Sequence, residues 1–159
     1  MFKAQTEWNK PEEFPDLRQA HAIAIDLETY DPDLKSMGSG SIIGKGKVVG
    51  IAVAVDGYSG YFPFDHKGGG NLEKSKVIQW LKDICESTSD KIFHNAMYDV
   101  CWIRSMGIKI NGRIFDTMIA ASLVNENRFR YDLGSLGWDY VGYGKNETEL
   151  RAAANEWGV

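Results

Sequence analysis

Apolar residues along this chain fall into short runs broken by Gly, Pro and acidic residues, and their period changes part-way along. Residues 21–28 hold a strand-length run in which Ile23, Ala24 and Ile25 follow one another without polar alternation, the pattern of a central strand buried on both faces. Val48 to Val55 and Tyr58 to Phe64 read as two more strands, joined by the two-residue hairpin signal Asp56-Gly57. This part of the sheet is therefore expected to be antiparallel. Residues 31–47, rich in Gly and Ser, read as a loop. After Gly68-Gly69-Gly70 the period becomes helical: Val77, Leu81, Ile84 and Cys85 share one face, and Asn71 is placed to cap the helix. Lys91 to Phe93 is a short strand running into a helix from Ala96 to about Met106, stopped by Gly107. Ile108 to Phe115 holds a turn and a fifth strand, Thr117 to Val124 is helical, and Leu133 to Tyr140 is a short helix. Leu150, Ala153, Ala154 and Trp157 then recur at i, i+3, i+4 and i+7 behind Asn146 and Glu149, which are spaced like a capping box.

The resulting order, β-β-β-α-β-α-β-α-α, is that of an α/β fold with a mixed sheet of about five strands flanked by helices. No internal repeat divides the chain. Residues 1–20, with Pro11 and Pro15, read as a loosely structured lead-in, and 21–159 as one domain. The 159 residues, 43% apolar and 25% charged, suffice for one core. No apolar run is long enough to span a membrane, and the polar stretch from Met1 to Leu17 does not resemble a secretory signal. A cytoplasmic setting, with Cys85 and Cys101 as free thiols, is expected.

The candidate chemistry lies at the end of the first strand. Asp26 and Glu28 stand at i and i+2, so both carboxylates project from one strand face. Such a pair repels unless it is solvated or shares a cation. Asp99, in the first turn of a helix that follows another strand, supplies a third acid. Hard oxygen ligands of this kind suit Mg²⁺ or Mn²⁺ rather than zinc. The plainer readings are two solvated acids at a strand end, Asn95 as an N-cap, Asp99 as a favourable first-turn charge and Tyr98 as a core aromatic. The net charge of −4 argues against a simple basic nucleic-acid binder, yet a carboxylate site can reverse its own charge with bound cations. Lys45, Lys47, Lys67, Arg128 and Arg130 read first as surface charges and second as phosphate contacts. Gly44-Lys45-Gly46-Lys47 lacks the spacing of a phosphate loop. His66 and His94 have no ligand-type spacing and take surface or core roles.

Asp26-Leu27-Glu28-Thr29 resembles the first motif of the DEDD 3′–5′ exonucleases, and His94-Asn95-Ala96-Met97-Tyr98-Asp99 resembles the second. Phe115-Asp116-Thr117-Met118, Leu123-Val124-Asn125 and Tyr131-Asp132-Leu133-Gly134-Ser135-Leu136 are similar to the stretch that follows in the proofreading domain of family A (polymerase I type) DNA polymerases of bacteria and bacteriophages. The resemblance implies a ribonuclease-H-like fold and two-metal hydrolysis of 3′-terminal nucleotides from single-stranded DNA. By position it makes Asp26, Glu28 and Asp99 the catalytic acids and ligands of two Mg²⁺ or Mn²⁺ ions, with Asp26 bridging them. Leu27 and Thr29 would line the terminal nucleotide's pocket, Asn95 would contact the single-stranded 3′ end, and Tyr98 would offer a stacking wall. Asp116 would be structural. The implied partners are a single-stranded DNA 3′ end and a polymerase region C-terminal to the domain, with no membrane; the implied setting is a bacterial or phage-infected cell.

The family's third motif, Tyr-x-x-x-Asp or His-x-x-x-x-Asp on a late helix, has no convincing match. Tyr143 and Glu147 straddle a loop-like Gly144-Lys145-Asn146, and His21–Asp26 and His94–Asp99 end on aspartates already assigned. The expectation is an exonuclease domain truncated before that motif, with a core face left uncovered and weak activity as this chain. Two alternatives stand: a non-catalytic nucleic-acid-binding remnant of the same fold, and a standalone RNA-directed exonuclease of the same superfamily.

Overall fold

A computed structural model describes residues 9–67 and 70–144, and its chain groups into two compact units, Met1–Asp116 and Thr117–Val159. The helix expected around Leu150 to Trp157, and Glu147, lie outside the described residues.

The first unit is built on a five-stranded sheet. Its strands are β1 (Ala22–Tyr30), β2 (Lys47–Val55), β3 (Tyr58–Pro63), β4 (Asp90–Phe93) and β5 (Ile114–Asp116), in the spatial order β3-β2-β1-β4-β5. β1, β2 and β3 pair antiparallel, the β2–β3 hairpin turning at Asp56-Gly57 with Gly57 at φ +74°. β4 pairs parallel with β1 and β5 pairs parallel with β4, each parallel strand following a helix as a crossover requires. Those helices are α3 (Lys74–Cys85) and α4 (Ala96–Ser105). The expected mixed α/β sheet is thus present.

β1 departs from the expectation of burial on both faces. Ile23, Ile25 and Leu27 enter the core, whereas Ala22 and Ala24 are half-buried and Asp26 and Glu28 exposed on the other face. Alanine is apolar enough to hide the alternation in the sequence and too small to mark a second core face. On the core side, Val77, Trp80, Leu81, Ile84 and Cys85 of α3 and Val100, Trp102 and Ile103 of α4 join Ile51, Val53, Phe62 and Phe93. Burial raises the Cys85 thiol to about 12, so this cysteine is a packing residue.

Three further details differ from the sequence reading. The 31–47 segment contains two single-turn helices, α1 (Leu34–Met37) and α2 (Gly40–Ile43), the second begun by Asp31, whose carboxylate accepts from the Gly40 N–H. The part of the lead-in within the described residues is irregular but packed: Phe14 stacks on Phe62 at 5.7 Å, and Trp80 Nε1 donates to the Pro15 carbonyl. Asn71 does not cap α3, where Glu73 holds the N-cap position; its amide instead clamps the backbone of His66.

Lys91 has no exposure, and its ammonium donates to the carbonyls of Ser87, Ser89 and Asn111, joining the loop before β4 to the loop before β5. The second unit carries α5 (Thr117–Val124) and α6 (Leu133–Val141). Asp132 caps α6 by accepting from the Ser135 N–H at 2.9 Å, and Arg128 pairs with Asp139.

At the start of α4 the N-cap residue, Asn95, sits in the left-handed region at φ +65° and its side chain makes no cap bond. Asp116 at the end of β5 performs that task, its two carboxylate oxygens accepting from the N–H groups of Asn95 (3.1 Å) and Ala96 (2.8 Å). Replacing Asp116 by Ala should therefore cost about 1–2 kcal/mol, as loss of a helix cap does, and lower the denaturant midpoint. Asp116→Asn, which keeps one acceptor, should lose less.

Candidate active site

β1 and β4 pair only over Ala22–Ala24. Beyond Phe93 the chain leaves the sheet and turns into α4, so the β4-facing edge of β1 is released just before the acids. Asp99 fills that gap. Its Oδ1 accepts from the Leu27 N–H at 3.0 Å, which sets the carboxylate against the strand between Asp26 and Glu28. The Asp99 side chain is buried, at 3% exposure, whereas its two neighbours face solvent. Burial raises the Asp99 carboxyl to about 7, and the negative charges of Asp26 and Glu28 push in the same direction, opposed by the Leu27 hydrogen bond. A buried acid held up by two like charges is a site that takes either a proton or a cation.

A β-bulge lies at the same place. The register runs Glu28↔Gly50 and then Thr29↔Val48, leaving Val49 as the extra residue on β2. The spare Val49 carbonyl accepts from the N–H groups of Phe64 and Asp65, where β3 ends. Bulges bend a strand and re-aim its side chains. Across from this bend, on β1, Thr29 Oγ1 and the Tyr98 hydroxyl lie 2.7 Å apart, and Tyr98 also donates to Asp31 Oδ2 at 3.1 Å. Thr29 and Tyr98 thus tie the α4 start to the end of β1. The Tyr98 ring meets Trp102 edge-on, and Tyr98 is half-buried.

Of the residues assigned to substrate, Thr29 and Tyr98 are the chain neighbours of Glu28 and Asp99 and hold one another, and Asn95 is exposed at the start of α4. Leu27 is not brought there by its side chain, which is buried in the core on the opposite strand face; its N–H is what reaches the acid edge. The basic residues are largely engaged. Lys45 pairs with Asp33, Lys47 and Lys74 both pair with Asp65, and Lys67 lies over the Tyr30 ring at 5.4 Å. Gly44 and Gly46 take φ +72° and +75°; Gly44 ends α2, and the close approach of the Tyr30 carbonyl to Gly46 leaves no space for a side chain.

One pair near the acids went unnoticed in the sequence. The Tyr61 hydroxyl lies 2.5 Å from His66 Nε2, and burial, reinforced by Glu28, lifts the phenol to about 12. No linear signal marks it, because Tyr61 and Glu28 become neighbours only through the pairing of three strands.

The oxygen-only donor set and the raised Asp99 carboxyl fit a hard divalent cation in their chemistry. Among the described residues, however, no three or more His, Cys, Asp and Glu side chains are drawn into a finished metal cage. The acids converge on one strand edge without closing around a point.

The family profile described as 3′–5′ exonuclease, the exonuclease domain of A-type DNA polymerases, matches residues 7–157. The chain belongs to that family. A DNA-directed DNA polymerase of Pseudomonas phage M6 is 34% identical over 163 residues, covering 97% of this chain and 24% of the relative. The chain spans a quarter or less of the length of the curated relatives it matches. Among solved structures, RNase D of Trypanosoma brucei aligns with a TM-score of 0.64 at 17% identity, over 89% of this chain and 47% of that one. Brucella melitensis NrnC with bound Mg²⁺ aligns with a TM-score of 0.57 at 17% identity, over 84% of this chain and 59% of that one. At such identities these two structures speak for the fold, which is that of ribonuclease-H-like exonucleases. No helix among the described residues is long and apolar enough to cross a membrane.

The Asp99 environment in this exonuclease-family domain has a consequence for stability. A carboxyl raised from 3.8 to about 7 on folding binds its proton more tightly in the native state, so its contribution falls as pH climbs between those values and levels off above them. In metal-free buffer, Asp99→Asn should therefore gain in melting temperature relative to the parent chain as pH rises from about 4 to about 7. Thermal melts of both chains across that range check the sign; a constant difference between them would count against the buried carboxyl.

Proposed function

We propose that this domain removes 3′-terminal nucleotides from single-stranded DNA by metal-dependent hydrolysis, the proofreading reaction, as part of a polymerase whose synthetic region lies C-terminal to it. The observation that carries this reading is the Asp99–Leu27 hydrogen bond. It sets the second-motif acid between the two first-motif acids in a chain of this family. The Mg²⁺ bound by Brucella melitensis NrnC, a protein of the same fold, lends support to the choice of cation.

Asp26, Glu28 and Asp99 would hold two Mg²⁺ or Mn²⁺ ions. When bound, such ions supply an activated water and stabilise the oxygen that leaves the 3′-terminal phosphodiester. The protein's own part is positional. Asp99 is fixed by the Leu27 N–H, so the cation-binding edge is tied to the sheet rather than to a loop. Thr29 and Tyr98 hold one another beside the acids and present a wall for the terminal nucleotide, the Tyr98 ring face being suited to base stacking. Asn95, exposed at the start of α4 with its backbone already anchored by Asp116, keeps its amide for the strand that leads to the 3′ end. Lys67 and Tyr30, stacked beyond the bulge, offer a cation for its phosphates.

Incubation of a 5′-labelled single-stranded oligonucleotide with the purified chain and Mg²⁺ should give a ladder of products shortened one nucleotide at a time from the 3′ end. Asp26→Ala should reduce this by about 100-fold or more, the loss of several kcal/mol of charge stabilisation. Single-strand binding that persists in chelator, with no shortening at high enzyme concentration, would mean a binding module instead. Faster shortening of the matching RNA would mean an RNA-directed enzyme.

A further inference from the structure

The Tyr61–His66 pair has no part in the three-acid arrangement, yet it occupies a constructed position next to it. In the sheet register Asp26, Ala52 and Tyr61 form one row, and Glu28, Gly50 and Pro63 the next row on the same face. From its own row Tyr61 leans over Gly50, where an added Cβ would fall 2.1 Å from the hydroxyl. The glycine therefore leaves room for the tyrosine tip to reach the row of Glu28. The tip is then fixed from outside. His66 Nε2 holds the hydroxyl at 2.5 Å, and Asn71 holds the His66 backbone at both its N–H (2.9 Å) and its carbonyl (2.8 Å). Packing alone would not require a glycine under the hydroxyl, a histidine on it and an amide clamp behind the histidine.

A phenol has one proton to donate. If Tyr61 gave that proton to His66, a phenol oxygen and a carboxylate would face each other as two acceptors. If His66 Nε2–H donates to the phenol, the Tyr61 O–H can be directed at the acid. We propose that Tyr61 is a positioning residue for Glu28, its O–H directed to the Glu28 carboxylate by a hydrogen bond from His66, so that Glu28 turns toward the cation held with Asp26 and Asp99. This rests on the exonuclease reading above. It assigns to β3 and to the His66–Asn71 loop a role in cation affinity: the acid on the exposed strand face is oriented before the cation arrives.

The test is titration of the 159-residue chain with Mn²⁺, followed by the electron paramagnetic resonance signal of the free ion, with a thermal melt of every variant. Tyr61→Phe should weaken Mn²⁺ binding about tenfold, the scale of one charge-assisted hydrogen bond partly replaced by water. His66→Ala and Gly50→Ala, which disturb the hydroxyl without removing it, should weaken binding to a similar degree. His66→Gln, whose amide N–H can still reach the phenol, should keep most of the affinity. In a Glu28→Gln background Tyr61→Phe should make no further difference. Oligonucleotide cleavage supplies a second readout: Tyr61→Phe should raise the Mg²⁺ concentration for half-maximal rate more than it lowers the rate at saturation. Parental Mn²⁺ affinity in Tyr61→Phe, or an equal loss with and without Glu28, overturns the positioning role. If at the same time Asp26→Ala abolishes binding, the exonuclease reading survives that result. If Asp26→Ala binds Mn²⁺ like the parent chain, both fall together.

Discussion

Where β4 parts from β1, the Leu27 N–H loses its ladder partner at the core of the sheet, and the Asp99 carboxylate takes it. An unsatisfied N–H in this position would be costly, so the strand edge needs an acceptor. Meeting that need with a carboxylate from the first turn of α4 has two effects. It fixes the helix against the sheet, and it places a third acid against two others. The remaining contacts at this corner serve the same placement: Asp116 anchors the α4 start, Tyr98 ties it to Thr29 and Asp31, and the bulge at Val49 bends β2 opposite Glu28 and Thr29.

The arrangement is electrostatically unfavourable without a counter-charge. Asp99 is held well above the usual carboxylate range by burial and by its two neighbours. Nearby lysines do not relieve it, since Lys45, Lys47 and Lys74 are each paired with an aspartate elsewhere. The chain's overall negative charge is therefore no bar to a phosphodiester substrate, because the local field would be set by what the acids bind rather than by the sum over the surface.

Much was legible in the linear pattern. The hairpin at Asp56-Gly57, the α3 face of Val77, Leu81, Ile84 and Cys85, and the pairing of two acids at i and i+2 all rest on local rules of period and turn chemistry. Readings failed where a residue had a choice of partner. Asn71 could cap a helix or clamp a loop, and the His66 backbone won it. Ala22 and Ala24 looked like core and instead floor the face on which the acids stand.

By itself, then, the sequence determined which residues carry acid and which strand face Asp26 and Glu28 share, because a period of two is a property of the strand alone. It also carried enough family pattern for the domain to be placed in the 3′–5′ exonuclease family of A-type DNA polymerases. Only the tertiary structure decided that Asp99 bonds to the backbone between those acids, that Leu27 contributes its N–H rather than its side chain, and that Tyr61 stands over Gly50 beside Glu28. Each of these depends on strand order, on register and on where β4 leaves the sheet. They are relations between segments about 10 to 70 residues apart, and no local period encodes them.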